Sequence, residues 1–191
     1  MDVVRERPHG ALMPARKRVV SMSPPSRAVR RWIILRVAIV AKGGESLSPP
    51  PGRDMLASSS HTFAELATAI DRAFGRWDLA HLHEFRFSDG RVVGMADTDE
   101  FGDEGEIDER AMTIGAAALA VGDSFLYEFD FGDAWEHTCT VLRGDVDPIE
   151  ESGRRPHDIV PIFGWGALPD QYGRTAPDSA DQPTDEDADA D

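Results

Sequence analysis

The stretch YEFDFGDAWEH, residues 127–137, decides the fold of this chain, because apolar and polar side chains alternate on both sides of a central turn signal. Alternation with a period of two is the pattern of a β-strand with one buried face. The central aspartates can hydrogen bond turn amides, and Gly132 can supply the positive φ that tight turns need. We therefore predict a β-hairpin with strands over residues 125–130 and 135–142.

The segment HLHEFRF, residues 81–87, predicts a second hairpin upstream of the first. It alternates in the same way, so His81 and His83 fall on the face that carries its two phenylalanines. Asp89 and Gly90 then form a turn signal that leads into a short second strand. Two hairpins therefore carry most of the side chains that could do chemistry.

The preceding sequence predicts one strand and one long helix. β-branched residues dominate residues 32–40, which predicts the first strand. Thr62 with Glu65 three positions later forms a capping box, and apolar residues recur every four positions until Gly75. After the first hairpin, Thr113 can cap a further short helix.

The order of these elements, β-α-β-β-(α)-β-β, predicts an α+β domain. Its mainly antiparallel sheet consists of the two hairpins plus the N-terminal strand and packs on the one long helix. The glycine- and aromatic-rich residues 163–174 lack strand alternation. We interpret them as an ordered lid across one sheet edge or over the helix.

Composition divides the chain into three parts. Residues 1–30 mix Pro, Arg and Ser without periodicity and are predicted to be a disordered basic leader, in which Met13 and Met22 are alternative starts. Residues 31–175 form the predicted α+β domain. Residues 176–191 place seven acidic residues among Pro and Ala, which predicts a disordered acidic tail.

The net charge of −15 is unevenly distributed along the chain. Residues 1–31 hold eight Lys or Arg against two acidic residues, which leaves twelve against thirty-three, a net charge of −21, for the remainder. Nucleic-acid affinity depends on cations that displace counterions from phosphates, so the acidic body disfavours nucleic-acid binding. The alternative is that the basic leader contacts DNA phosphates.

Neither a membrane span nor a secretory signal is predicted. No apolar run approaches the roughly 20 residues that cross a bilayer, and the longest, residues 32–41, is interrupted by Arg36. The single Cys139 excludes an internal disulfide, which fits a reducing compartment. It shares a strand face with His137, where a small buried hydrophobe is favoured over a nucleophile. We therefore predict a cytoplasmic protein without a membrane partner.

The two hairpins contain one set of residues that could bind a divalent metal. His81 and His83 lie about 7 Å apart on one strand face, a spacing at which two imidazoles can reach one ion. Histidine with carboxylate suits Fe(II), Mn(II) or Zn(II), and a bound water would be the reactive group. The candidate ligands are His81, His83, Asp130, Asp133 and His137.

A structural role for the same residues is favoured over a metal site, so no cofactor is predicted. The histidines share their face with phenylalanines and can be core-facing imidazoles bonded to backbone or to an aspartate. The aspartates can serve the hairpin turn. The residues expected to act structurally are Trp77, Phe85, Tyr127, Gly132 and Trp135.

Other motifs for binding or catalysis are incomplete. Residues 97–109 carry eight acidic residues and begin like a calcium loop, but Phe101 replaces a ligand, so a solvated acidic loop is favoured. The chain contains no Walker A, G-x-S-x-G, H-E-x-x-H or dinucleotide fingerprint. No complete catalytic constellation is therefore visible in the sequence.

Three segments together resemble the plasmid pRiA4b ORF-3-like family. They are HTFAELATAIDRAFGRW at residues 61–77, HLHEF at 81–85 and the hairpin stretch at 127–137, and the resemblance runs from about residue 32 to 174. It implies an α+β domain in which the hairpins pack beside the helix. Some members carry the label of an insertion-element passenger TnpR protein, which implies a link to mobile DNA. Many also have a Tyr-Pro-x-Cys…Cys-Pro-Pro-Glu-Asp segment after the second hairpin, which this chain lacks.

The sequence favours a non-catalytic binding or accessory module, linked to mobile elements, whose aromatic and acidic surface engages a protein or a small ligand. One alternative is a metal-dependent enzyme that uses the His/Asp set. The other is an accessory protein of DNA transactions, as the TnpR label implies. A serine resolvase needs a nucleophilic serine amid arginines and a basic surface, and neither is identifiable in the acidic body.

Overall fold

One sheet of nine strands forms the body of the computed structural model, which describes residues 31–95 and 106–173. Its strands are β1 (Trp32–Lys42), β2 (Glu45–Ser46), β3 (Gly52–Ser58), β4 (His83–Phe87), β5 (Val92–Gly94), β6 (Ile107–Asp108), β7 (Ser124–Phe129), β8 (Trp135–Arg143) and β9 (Val160–Trp165). Two short helices accompany the sheet within the same residues. They are α1 (Phe63–Ala73) and α2 (Pro148–Ser152).

Neighbouring strands follow the order β6-β5-β4-β7-β8-β1-β3-β9, and β2 pairs with the end of β1. β5 and β6 run parallel, whereas the other pairs of described strands are antiparallel. The two predicted hairpins are present as β4–β5 and β7–β8. They lie side by side because β4 pairs with β7 along its whole length.

The prediction of an α+β domain whose sheet packs on one long helix is wrong. The structure is mainly β, because the described helices have only 11 and 5 residues beside nine strands in one mixed sheet. In the segment 113–119, predicted as a short helix, Thr113 forms an isolated β-bridge with Thr62 and residues 114–118 form turns. The sequence interpretation also missed β3, and it placed only the end of β9 in the proposed lid.

The two faces of the sheet bury separate apolar clusters. Alternation along β1 sends Leu35, Val37 and Ile39 into the main core, on the face that α1 covers. Trp32 and Ile34 point to the opposite face, where they form a smaller cluster with Leu56, Val146 and Ile162. The central strands therefore have apolar residues on both faces, which removes the simple alternation of a half-exposed strand.

Helix α1 begins and ends as the sequence predicts. The Thr62 Oγ1 accepts a hydrogen bond from the Glu65 amide at 3.2 Å, and the Glu65 carboxylate accepts one from the Thr62 amide at 2.7 Å. Gly75 follows the helix with a φ of 71°, a left-handed conformation that glycine adopts without strain. The first helical residue, Phe63, packs edge-to-face on three core rings, those of Phe85, Phe87 and Phe125.

Some predictions concern residues outside those described. They include the disordered basic leader over 1–30, the disordered acidic tail over 176–191 and most of the acidic loop over 97–109. Among the residues that are described, no helix has the length and hydropathy needed to cross a membrane.

Candidate ligand-binding site

The sequence stretches that contain the predicted site residues meet at one end of the sheet, which we call the turn end. At this end β1 and β7 finish while β4 and β8 begin. A continuous row of paired residues marks it: His83 pairs with Phe129, Phe129 with Trp135, and Trp135 with Lys42. The segment that follows α1 brings Arg76 against this row. Hairpins and helix therefore contribute to one site.

Arg76 is the most unusual side chain at the turn end. Only 4% of its surface is exposed, and none of its three guanidinium nitrogens has a hydrogen-bond partner among the described residues. Burial lowers its pKa to about 10, although nearby Asp71 and Asp170 act in the opposite direction. Arg76 therefore stays charged at neutral pH. Burying a charge without hydrogen bonds is costly, so its presence requires a functional explanation.

The Trp135 indole lies against two cations. The Arg76 Cζ is 3.6 Å and the Lys42 Nζ 4.3 Å from a centroid of its ring system. An aromatic face attracts cations, which helps the interior to hold the charge of Arg76. Trp135 is fully buried, and its Nε1–H has no hydrogen-bond partner among the described residues. The site thus holds unused donors on two adjacent side chains.

His137 lies two residues along β8 from Trp135 and on the same strand face. Its Nδ1 is 3.1 Å from the Trp135 carbonyl oxygen and 3.3 Å from that of Tyr127. Because carbonyls only accept, Nδ1 carries the proton and Nε2 presents a lone pair. That Nε2 has no partner within the described residues. Burial, reinforced by Arg76, lowers the pKa of His137 to about 3, so the ring is neutral.

A buried hydrogen bond joins α1 to β7 beside these groups. The Tyr127 hydroxyl donates to Asp71 Oδ1 at 2.9 Å. Burial raises the pKa of Asp71 to about 6, even though the Tyr127 hydrogen bond lowers it. Burial also raises the pKa of Tyr127 well above its ordinary value. Asp71 consequently exchanges its proton much nearer to neutral pH than an exposed aspartate does.

His83 pairs with a carboxylate from the acidic loop. Its Nε2 lies 2.8 Å from Glu109 Oε2, and Glu109 is only 5% exposed. Burial alone lowers the pKa of His83, but the bond and the charge of Glu109 more than offset this, so the pKa is raised. Glu109 was expected in a solvated loop. Its amide instead donates to the Gly94 carbonyl at 2.9 Å, which directs this residue inward.

His81 precedes β4 and contacts the hairpin turn. Its Nδ1 is 3.3 Å from Asp130 Oδ2, and its Nε2 is 3.1 Å from the Tyr172 hydroxyl. Asp130 Oδ1 in turn accepts hydrogen bonds from the amides of Gly132 and Asp133, at 3.1 and 3.3 Å. One carboxylate therefore fixes the turn and holds His81.

The prediction that Gly132 gives the turn its positive φ is wrong. The positive values belong to Asp130, at 58°, and Ala134, at 45°. The Asp130 side chain caps the turn amides, and an aspartate adopts this left-handed conformation more readily than most residues. A Cβ on Gly132 would meet Asp130 Oδ1 at 3.3 Å. The close approach of the Asp130 carboxylate therefore limits the space for a side chain at Gly132.

The five candidate metal ligands are divided among separate settings. Only His81 and Asp130 of the set are in contact by side chains. In the part of the chain that is described, no group of three or more His, Cys, Asp or Glu side chains is arranged to hold a metal ion. Of the others, His83 contacts Glu109, His137 contacts two backbone carbonyls, and Asp133 lies 3.7 Å from the Lys42 Nζ.

Five exposed apolar side chains belong to the chain segments that meet at the turn end, and we call them the apolar rim. The Trp77 and Tyr172 rings meet edge-to-face at 5.1 Å. His81 links Tyr172 to Asp130, which precedes the exposed Phe131. The rim consists of Trp77, Leu79, Leu82, Phe131 and Tyr172, each between 44% and 57% exposed. The other residues expected to be structural, Phe85, Tyr127 and Trp135, are fully buried.

Residues 166–173, which we call the strap, cross the turn end after β9. The strap is fastened by Gln171, whose surface is only 1% exposed. Its Oε1 accepts from the amides of Trp77 and Asp78 at 3.0 and 3.2 Å, and its Nε2 donates to the Asp78 carbonyl at 2.9 Å. The Lys42 Nζ donates to the Gln171 carbonyl at 3.2 Å. The planar carboxamide thus fills a position lined by two amide donors and one carbonyl acceptor.

The sequence interpretation missed the residues with the most unusual environments. Arginine, aspartate and glutamate are seldom buried, so Arg76, Asp71 and Glu109 carried no signal of burial. Gln171 lies in a segment without periodicity. One available signal was the position of Asp71 on the same helical face as Ala67 and Phe74, residues three to four positions away that point into the core.

A comparison of this chain with known protein families identifies the family to which it belongs. The family model described as plasmid pRiA4b ORF-3-like protein matches residues 45–157, and the chain belongs to this family. The matched range contains every buried polar group described above except Gln171. The resemblance of the sequence motifs to this family is therefore confirmed.

The chain is also similar to two known proteins. The chain is 38% identical over 105 residues to "Uncharacterized protein y4hQ" of Sinorhizobium fredii, covering 51% of this chain and about half, 52%, of that relative. The crystal structure of the protein of unknown function MM3350 from Methanosarcina mazei Go1 superposes with a TM-score of 0.56 at 21% identity. It covers 71% of this chain and 70% of that one, and it shows the fold alone.

Proposed function

We propose that this chain is a non-catalytic binding module that binds a small ligand at the apolar rim. One observation carries the proposal: five of the ten large apolar residues that are exposed in the described part of the chain form this rim. Exposed apolar side chains gathered in one place mark interaction sites more often than scattered ones do. Trp77, a member of the rim, directly follows the buried Arg76 in the chain, so the site combines exposed apolar side chains with a buried cation.

The hydrogen bonds at the turn end support binding rather than chemistry. Asp71 is engaged with the Tyr127 hydroxyl, and His83 with Glu109. Each of these pairs joins two structural elements and holds them in place. Such groups are suited to fixing the walls of a site, whereas a general base must face the proton that it removes.

Charge indicates which ligands the rim accepts. The carboxylates of Asp78, Asp130 and Asp133 lie beside it, and residues 32–191 carry a net charge of −21. A polyanion such as nucleic acid would be repelled there. The family's plasmid name supports a role linked to mobile elements, and the lone buried Cys139 supports a cytoplasmic location.

Saturation-transfer NMR with indole, a neutral aromatic probe, tests the proposal. Indole should receive saturation from the protein, and the double variant Trp77→Ser, Phe131→Ser should remove most of that signal. Ile149→Ser is the matched control, because Ile149 is also about half exposed, at 52%, but lies on α2. Equal signals from both variants would show non-specific contact and defeat the proposal.

A further inference from the structure

We propose that the turn end recognises an α-amino acid with an apolar side chain, whose carboxylate takes the place of the Gln171 carboxamide. This inference rests on the proposed function, because the amino acid's side chain would lie on the apolar rim. The inference adds the chemical class of the ligand and names the residues that bind its carboxylate and ammonium groups.

The donors around Gln171 are those that a carboxylate requires. Two successive amides, of Trp77 and Asp78, already converge on its Oε1. The Lys42 Nζ lies close to these amides, where it donates to the main-chain carbonyl of Gln171 at 3.2 Å. Adjacent amides with a nearby cation form a typical concave site for anions. A carboxylate has the planar shape of the carboxamide and accepts at both of its oxygens.

Arg76 supplies the charge that this carboxylate would neutralise. It follows α1 directly, its chain neighbour is Trp77, and its three guanidinium nitrogens have no hydrogen-bond partner among the described residues. The Arg76 Cζ lies 3.6 Å from the Trp135 ring centroid, and a guanidinium presents its N–H groups in a fixed planar fork. An arginine in this state gains more from a bidentate carboxylate than an exposed arginine does.

The remaining unused groups call for a donor on the ligand. His137 is neutral, and its Nε2 is an acceptor, so a simple carboxylate would leave this lone pair unsatisfied. The Asp78 carbonyl would also lose the hydrogen bond that it accepts from Gln171 Nε2. An ammonium group beside the carboxylate can donate to such acceptors.

The charge of the chain favours the same class of ligand. A simple anion must approach a protein of net charge −15, and at the rim it would meet Asp78, Asp130 and Asp133. An α-amino acid carries no net charge at neutral pH, so this repulsion is largely removed. Its ammonium group would also be attracted by those carboxylates.

Isothermal titration of the full chain with three compounds tests the inference. L-Phenylalanine, 3-phenylpropionate and 2-phenylethylamine share the phenyl group and differ only in the carboxylate and amine. Phenylalanine should bind about tenfold more tightly than either of the others, because each lacks one charged group. If 2-phenylethylamine or inorganic phosphate binds as well as phenylalanine, the inference is overturned. Equal binding of all three phenyl compounds would leave the apolar rim intact as a site while removing the amino-acid assignment.

Two variants with opposite expected effects locate the carboxylate. Arg76→Met should weaken phenylalanine binding about tenfold or more, whereas Arg72→Met, four residues earlier on the exposed face, should leave it unchanged. Gln171→Ala removes the competing carboxamide and should strengthen binding several-fold. Weaker binding in Gln171→Ala would contradict the proposed displacement.

An NMR measurement on the unaltered chain tests the inference without depending on whether a variant folds. In a ¹H–¹⁵N spectrum of the unaltered chain, phenylalanine should shift the Trp135 indole N–H, because this donor lies beside the Arg76 guanidinium. The indole of Trp32, which is buried on the other face of the sheet, should not move. Absence of a Trp135 shift at saturating phenylalanine would contradict the inference.

Discussion

The two ends of helix α1 pack against the same sheet, but the side chains buried there differ: they are apolar at the start of the helix and polar or charged at its end. At the first helical residue, Phe63 packs on three phenylalanine rings. Near the last helical residue, Asp71 accepts a hydrogen bond from Tyr127. Just beyond the helix, Arg76 lies against Trp135. Both ends are closed to solvent to a similar degree, since Phe63 is fully buried and Arg76 is 4% exposed.

The apolar end stabilises the fold, whereas we propose that the turn end serves ligand binding. Burying an aromatic side chain contributes roughly 1.5–3 kcal/mol to folding. Burying charge without full hydrogen bonding has the opposite sign. We therefore expect the turn end to reduce stability in the free protein, and we propose that a ligand uses the groups responsible.

The largest expected effect is at the apolar end. Phe63→Ala should lower the free energy of unfolding by about 3–5 kcal/mol, because it leaves a cavity among three rings. Urea unfolding followed by circular dichroism measures this. Phenylalanine binding should be unchanged wherever the variant is folded, since Phe63 lies at the other end of α1. Phe163→Ala, which alters a side chain 60% exposed, is the control and should cost less than about 1 kcal/mol.

A smaller and pH-dependent effect is expected at the turn end. The pKa of Asp71 is about 6 in the folded protein and near 3.8 when unfolded, so its ionisation destabilises the fold as pH rises between these values. Asp71→Asn keeps an acceptor for the Tyr127 hydroxyl and removes the charge. It should therefore raise the free energy of unfolding by about 1–3 kcal/mol at pH 7 and by almost nothing at pH 3.5.

His137 has the opposite pH dependence, so the test must compare the variant with the unaltered chain at each pH. The pKa of His137 is about 3 when folded and near 6.5 when unfolded, so stability is lost as pH falls through this range. The effect is common to both proteins and cancels in the difference. If Asp71→Asn raised the free energy of unfolding equally at pH 7 and pH 3.5, the charge of Asp71 would not be the cause of the increase.

The sequence predicted those elements of the fold whose signals are local. The capping box at Thr62 and the alternation around residues 127–137 depend on neighbours within a few positions. Strand β3 was missed because Met55 and Leu56 face different cores, which gives consecutive buried residues without alternation. Strand β9 was only partly seen because a proline and a glycine interrupt it.

The sequence indicated which hairpin residues lie near one another, but it did not indicate the partners of their histidines. The alternation predicted that His83 faces the core, and its ring indeed lies beside that of Tyr127. Its partner Glu109 is 26 positions away in a segment that composition assigned to solvent. Arg76 gave no warning either, because the alternation of a strand or helix cannot indicate that a charged residue is buried. Such contacts become visible only when the sheet is assembled.

The most direct test compares two arginines on neighbouring turns, one exposed and one buried. Arg76→Met and Arg72→Met remove the same charge, so their free energies of unfolding in urea differ only through burial. We predict that Arg76→Met is more stable than the unaltered chain by about 1–2 kcal/mol, while Arg72→Met stays within about 0.5 kcal/mol. Destabilisation of Arg76→Met by more than about 1 kcal/mol would mean that Arg76 holds the fold together, and would contradict the claim that the turn end is organised for a ligand.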